Sequence, residues 1–194
     1  MDIIYECAQN FINLLNTQYI FTVSRKRQTQ QIILDFTIED FRHASGLHYI
    51  KDINIERNPS LLVDSILSYG LTDAMLENSY KYNKNNDNYG SIKERVAEMK
   101  YLEKYLDEST YMRIHQAQDF GSMIDADYFI ESTINENQTA YIFIRKRTEN
   151  NNFVVVSFFP KYRIYRGGLV YWLEKIKNQN GNIIELNKNE KYIK

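Results

Sequence analysis

Apolar residues recur at Ile4, Ala8, Phe11, Ile12 and Leu15, the three-and-four spacing that lines one face of a helix, so Ile3 to Leu15 is predicted to open the chain as an amphipathic helix. Two runs rich in β-branched and aromatic residues follow, Tyr19 to Ser24 and Gln31 to Phe36. The polar stretch Arg25 to Gln30 between them predicts a hairpin turn. Thr37 and Asp40 make a capping pair for a short helix, Ile38 to Ala44, that Gly46 ends. The middle reads as helical. Pro59 and Ser60 open Leu61 to Tyr69, Thr72 caps Asp73 to Tyr80, and Ser91 caps Ile92 to Leu106, whose Ile92, Val96, Met99, Leu102 and Leu106 form one apolar stripe. From Ala126 the period changes. Tyr128 to Ile134, Ala140 to Arg147 and Phe153 to Phe159 predict an antiparallel meander, Leu169 to Lys177 a further helix, and Ile183 to Leu186 a short closing strand after Asn180 and Gly181.

This order predicts an α+β fold in one domain spanning 1–194: a helix and hairpin in 1–50, a helical middle in 59–109, and antiparallel strands with a closing helix in 126–187. A chain of 194 residues can bury a sizeable core. With 43% hydrophobic and 25% charged residues, neither a disordered tail nor a fibrous repeat fits. The longest apolar runs, such as Phe153 to Phe159, fall well short of the roughly 20 residues of a membrane helix. Asp2 and Glu6 stand where a secretory signal needs positive charge, which predicts a cytoplasmic protein without a membrane partner. Cys7, the sole cysteine, can form neither an internal disulfide nor a thiolate cluster.

The net charge of −1 conceals a split. Between Asp35 and Glu77 eight acids face three bases, whereas between Tyr141 and Lys177 eight bases face two acids, net charges of −5 and +6. Gathered on one face with Arg25, Lys26 and Arg27, those bases could hold a phosphate backbone, although solvated turn residues explain such runs more often.

Known chemical motifs are mostly missing. Gly167 and Gly168 lack the spacing of a phosphate loop, so no nucleotide cofactor is expected. The three histidines, His43, His48 and His115, show no zinc-ligand spacing, so no metal site is expected either. What stands out is Phe41-Arg42-His43-Ala44-Ser45-Gly46-Leu47-His48, where a histidine beside an arginine precedes a Ser-Gly turn. Such a segment can offer a proton acceptor and backbone donors together, though a histidine that merely packs against or caps a short helix is more frequent.

Strand, basic turn, strand and then Asp40 to Leu47 resemble the phage nuclease-like families of the barnase, EndoU, colicin and RelE type, closest to the fourth phage group with its Phe-x-His-Leu-Thr-Gly-Leu signature. Ala44 and Ser45 replace the Leu and Thr of that signature. The resemblance implies a barnase/EndoU/RelE-like fold, helices packed on a mostly antiparallel β-sheet, with the site on an open sheet face. It also implies a metal-independent, cofactor-free ribonuclease, toxin-like in kind, in which a 2′-hydroxyl attacks the neighbouring phosphate. His43, with Ser45 and Gly46 beside it, matches the motif.

Further candidates come from the residues themselves. Arg145 and Ser157 are candidates for the catalytic group, and Arg42, Tyr141, Arg147, Lys161 and Arg163 for single-stranded RNA, with Tyr141 stacking a base beside the phosphate-binding arginines, although an edge strand guarded by its charges and a buried serine bonded to backbone explain the same residues equally well. Two other readings stand beside the nuclease, for which a protein inhibitor or host protein is a candidate partner: a catalytically silent protein- or RNA-binding module, and an inhibitor or antitoxin-like partner of a host protein that uses the acidic helical face around Asp64, Asp73 and Glu77.

Overall fold

The computed structural model describes residues 2–85, 90–109, 111–116, 124–161 and 167–189. Its helices are α1 (Ile3–Asn13), α2 (Ile38–Ala44), α3 (Pro59–Leu67), α4 (Asp73–Leu76), α5 (Tyr80–Asn83), α6 (Ile92–Met99) and α7 (Leu102–Glu108). Its strands are β1 (Thr17–Arg25), β2 (Gln28–Leu34), β3 (Tyr111–Ile114), β4 (Tyr128–Asn135), β5 (Gln138–Lys146), β6 (Phe153–Lys161), β7 (Gly168–Gln179) and β8 (Asn182–Lys188).

The strands do not form the open sheet that the sequence suggested. In the order β1-β2-β6-β5-β4-β3-β7 each bonds the next, and β7 also bonds β1, so seven strands close into a barrel while β8 adds to β7. The expected α+β arrangement, helices packed on a mostly antiparallel sheet with a free face, is therefore corrected. β1 has β2 along one edge and β7 along the other, and no terminal edge remains there for an open sheet. One face of all seven strands supplies the main core, including Phe21, Leu34, Met112, Ile130, Ile142, Phe158 and Val170. α1, α2, α3, α6 and α7 contribute to that same core. A second cluster, Phe129, Tyr141, Phe143 and Phe159, lies on the opposite face of β4, β5 and β6.

Other departures have local causes. Leu169 to Lys177 forms strand β7, not a helix. A bulge sets Val23 opposite Trp172 but Thr22 opposite Glu174, leaving Leu173 as the extra residue. The apolar positions Leu169, Trp172, Leu173 and Ile176 consequently mimic helical spacing although the backbone is extended. Ile92 to Leu106 breaks at Lys100 and Tyr101 into α6 and α7, and Asp73 to Tyr80 divides into α4 and α5. The β1–β2 turn is tight, with Lys26 and Arg27 at φ 51° and 67°, the left-handed conformation of a two-residue hairpin.

α7 docks inside through polar contacts. Tyr19 Oη donates to Asp107 at 2.6 Å, and Lys177 Nζ to Glu103 at 2.7 Å and Asp107 at 2.9 Å. Burial opposes the Lys177 charge, but these two carboxylates raise its pKa above the ordinary value. Lys175, 1% exposed, donates to the carbonyl oxygens of Leu106, Asp107 and Ser109 at 2.9, 2.6 and 2.9 Å, closing the C-terminal end of the helix.

The barrel is thinnest between β2 and β6. Their parallel pairing is confined to Leu34 and Phe153, reinforced by the Asp35 N–H donating to the Phe153 carbonyl at 3.1 Å. Arg147 staples this seam. Its Nε donates to Asp35 at 3.1 Å, its Nη2 donates to Asp40, and Asn152 Nδ2 donates to the other Asp35 oxygen at 2.7 Å. Asp40 also accepts from the Thr37 backbone N–H at 2.8 Å and the Thr37 hydroxyl at 3.1 Å, so one carboxylate caps α2 and binds that helix to the seam.

Two outcomes follow for stability. Lys175→Met strands buried carbonyls at a cost of about 1–3 kcal/mol, read as a melting temperature lower by about 2–12 °C for a chain of this length; an unchanged melting curve would contradict the account. Arg147→Met leaves Asp40 buried without its cation and costs about 3–5 kcal/mol, and adding Asp40→Asn recovers part of the loss in a double-mutant cycle by chemical denaturation.

Candidate functional site

His43 stands in the last turn of α2, on the side of the helix opposite its buried Phe41 and Ala44, and is exposed. The helix stops because Gly46 adopts φ 81°. A Cβ there would lie 2.9 Å from Arg95 Nη1, so both conformation and space favour glycine. The chain then turns through Leu47–Tyr49, which brings His48 back under His43 with ring centroids 4.4 Å apart.

His48 has a defined state. Its Nδ1 lies 3.3 Å from the Arg42 carbonyl oxygen, a bond that requires the proton on Nδ1. Burial and then the neighbouring His43 push its pKa down to about 4, so it is neutral near pH 7. The His43 pKa is also lowered, by burial and then by Arg42 and Arg145, with Asp40 acting weakly in the other direction. Near pH 7 His43 is therefore a neutral imidazole able to accept a proton.

On β5 the alternation that buries Tyr141 and Phe143 carries Arg145 to the same face, where β6 sets Ser157 opposite Phe143. Together with α2 these strands wall a cleft of about 560 Å³, lined among others by Asp40, His43, His48, Asp125, Arg145 and Ser157. Lys146, Arg147, Thr148 and Glu149 line it too. His43 thus shares one cavity with Arg145 and Ser157, both over a hundred positions later in the sequence.

The arginines differ in availability. Arg145 Nη1 donates to Asp125 at 2.6 Å, and the two side chains are 47% and 83% exposed. An ion pair so solvated is worth only about 0–1 kcal/mol, and a phosphate can take the place of Asp125. Arg147 is 16% exposed and held by Asp35 and the 7%-exposed Asp40, so its guanidinium is committed to the seam although it borders the cleft.

Several expected positions fall elsewhere. Tyr141 is 2% exposed and packs against Phe129 and Phe159 in the second core cluster. Ser45 is fully buried, its hydroxyl 3.4 Å from the Arg42 carbonyl and 3.5 Å from the Leu47 N–H, which places it in the helix-ending turn and outside the cleft. Arg42 serves the cleft through its carbonyl oxygen, which holds His48, while its guanidinium is not among the lining groups. Lys161 closes β6 opposite Thr139, about 13 Å along the strand from Ser157. Arg163 lies outside the described residues. His115 is buried, its Nε2 2.9 Å from the Ile124 carbonyl oxygen.

Asp125, Lys146 and the neutral His48 belong to the cleft and went unread in the sequence. Lys146 was visible between Arg145 and Arg147. Asp125 gave no signal, because it reaches Arg145 only through the β4–β5 pairing. Among the described residues no group of three or more His, Cys, Asp or Glu side chains is placed to hold a metal ion, and no helix is long and apolar enough to cross a membrane.

Comparison with known proteins adds one finding. No curated protein and no solved structure matches the chain. A family model described as phage-Barnase-EndoU-ColicinE5/D-RelE like nuclease 4 matches residues 3–194. With nearly every residue inside that match, the chain belongs to this phage nuclease-like family.

Proposed function

We propose that the protein is an endoribonuclease that cleaves single-stranded RNA without a metal, in the cleft between α2 and the β5–β6 hairpin. The observation that carries this reading is the exposed His43 in one cavity with Arg145, a cation that among the described residues pairs with the exposed carboxylate of Asp125. His43 takes the proton of a ribose 2′-hydroxyl as its oxygen bonds to phosphorus. The P–O5′ bond breaks, a 2′,3′-cyclic phosphate remains, and the departing 5′-oxygen takes a proton from water in the open cleft. Arg145 lies against the phosphate oxygens and stabilises the charge that grows on them. Ser157, lining the same wall, donates to a non-bridging oxygen. His48 keeps the His43 ring in place from beneath, and Arg147 is a positioning residue that sets α2 against the strands. Need for a 2′-hydroxyl restricts the reaction to RNA.

Incubating the protein with labelled RNA in excess chelator, beside a DNA of the same sequence, tests the reading. Cleavage of RNA alone, ending in a cyclic phosphate, is expected. His43→Ala lowers kcat/KM by about 10²–10⁴ and Arg145→Ala by about 10²–10³, with melting temperatures unchanged. RNA left intact by folded wild-type protein points instead to the silent binding module. The pH profile is a separate check. Because the His43 pKa is lowered, its basic form is lost only below about 6.5, so kcat/KM rises with pH beneath that value and gains nothing between pH 7 and 8. A rise centred above pH 7 would assign the proton transfer to another group.

A further inference from the structure

A second cleft lies beside the first, where the barrel wall is thinnest. β2 bonds β6 only at Leu34, so among the described residues the β2 edge from Gln28 to Ile33 has no strand against it on that side. The gap opens as a cavity of about 490 Å³ lined among others by Gln30, Gln31, Asp127, Tyr128, Lys146 and Asn151, with the Phe153 ring in the same wall. Lys146 lines both cavities, and its backbone N–H donates to Asp127 at 2.7 Å, so the two clefts meet at this residue. Gln30 Nε2 crosses the gap to donate to Tyr128 Oη at 2.7 Å. That bond holds the Tyr128 ring, which is partly exposed and 5.8 Å from the Phe153 ring.

We infer that this seam cleft is a nucleobase subsite, which receives the base of the nucleotide next along the strand from the pair joined by the scissile phosphate, while Lys146 spans the backbone between the two clefts. The chemistry of the lining selects this occupant. Aromatic side chains offer a surface for a base, and the carboxamides of Gln31 and Asn151, both exposed, can donate and accept along its edge. The Asp127 carboxylate repels phosphate, so the base enters and its phosphate stays at Lys146 and Arg145. The unpaired β2 edge adds backbone donors and acceptors to the same wall. This inference rests on the ribonuclease reading, since it assumes a strand threaded through the first cleft.

Binding separates it from that reading without any need for turnover. Fluorescein-labelled 2′-O-methyl RNA, a dinucleotide and a tetranucleotide, is titrated with wild-type protein and with the Gln31→Ala/Asn151→Ala variant, followed by anisotropy. Wild type is expected to bind the tetranucleotide about tenfold or more tightly than the dinucleotide, as one added stacked base provides. The variant keeps the aromatic surface but not the edge contacts, so it loses about threefold or more of that gain and keeps its dinucleotide affinity within about twofold, which also shows that it is folded at the first cleft. Equal binding of both lengths by wild type, or a tetranucleotide affinity untouched in the variant, overturns the subsite and leaves the nuclease standing. Failure of wild type to bind either oligonucleotide overturns both. A tetranucleotide of DNA bound with the same gain supports the subsite, since base recognition there does not use the 2′-hydroxyl.

Discussion

The Arg147 guanidinium does two jobs on which the remaining architecture depends. Through Asp35 it closes a barrel whose last seam has a single pair of bridged residues, and through Asp40 it fixes the start of the helix that carries His43. Asp40 is simultaneously the capping carboxylate of that helix, so the local fold of α2 and its placement against β6 share one charged group. The cost of desolvating such a cluster is repaid only while every partner is present. Barrel closure and the geometry of the cleft are therefore coupled through one side chain.

That coupling explains how neighbouring arginines on one hairpin divide their work. Arg147 is withdrawn from solvent and serves as structure, whereas Arg145 meets an exposed acid in water and can exchange it for a ligand. The same division recurs across the barrel. Lys175 and Lys177 count toward the basic C-terminal half but point inward and hold α7, so they add nothing to the surface charge that a nucleic acid meets. Among the described residues, Arg145 and Lys146 line the cleft without being drawn into the seam that holds Arg147.

Much of this was legible along the chain, and the exceptions are instructive. The meander from Tyr128 to Phe159 and the helix Ile38–Ala44 appear where alternation, Asn-rich turns and the Thr37–Asp40 cap placed them. Alternation also put Arg145 on one strand face with Tyr141 and Phe143, though it could not tell that Tyr141 would be roofed by Phe129 and Phe159. β7 escaped because the bulge at Leu173 shifts its phase and because lysines occupy inward positions where apolar residues are expected. Closure escaped for a different reason. A strand's side-chain pattern says which face is buried and nothing of what its edges bond, so the pairing of β1 with a strand some 150 positions later leaves no local mark.

The most direct test of the central claim, that the His43 cleft is where a scissile phosphate sits, is a crystal structure of the protein with a non-cleavable 2′-deoxy trinucleotide. The account predicts a phosphate on Arg145 in place of Asp125, with His43 within hydrogen-bond reach of the 2′ carbon's missing hydroxyl position. A trinucleotide bound away from α2, with the Arg145–Asp125 pair intact, would contradict it.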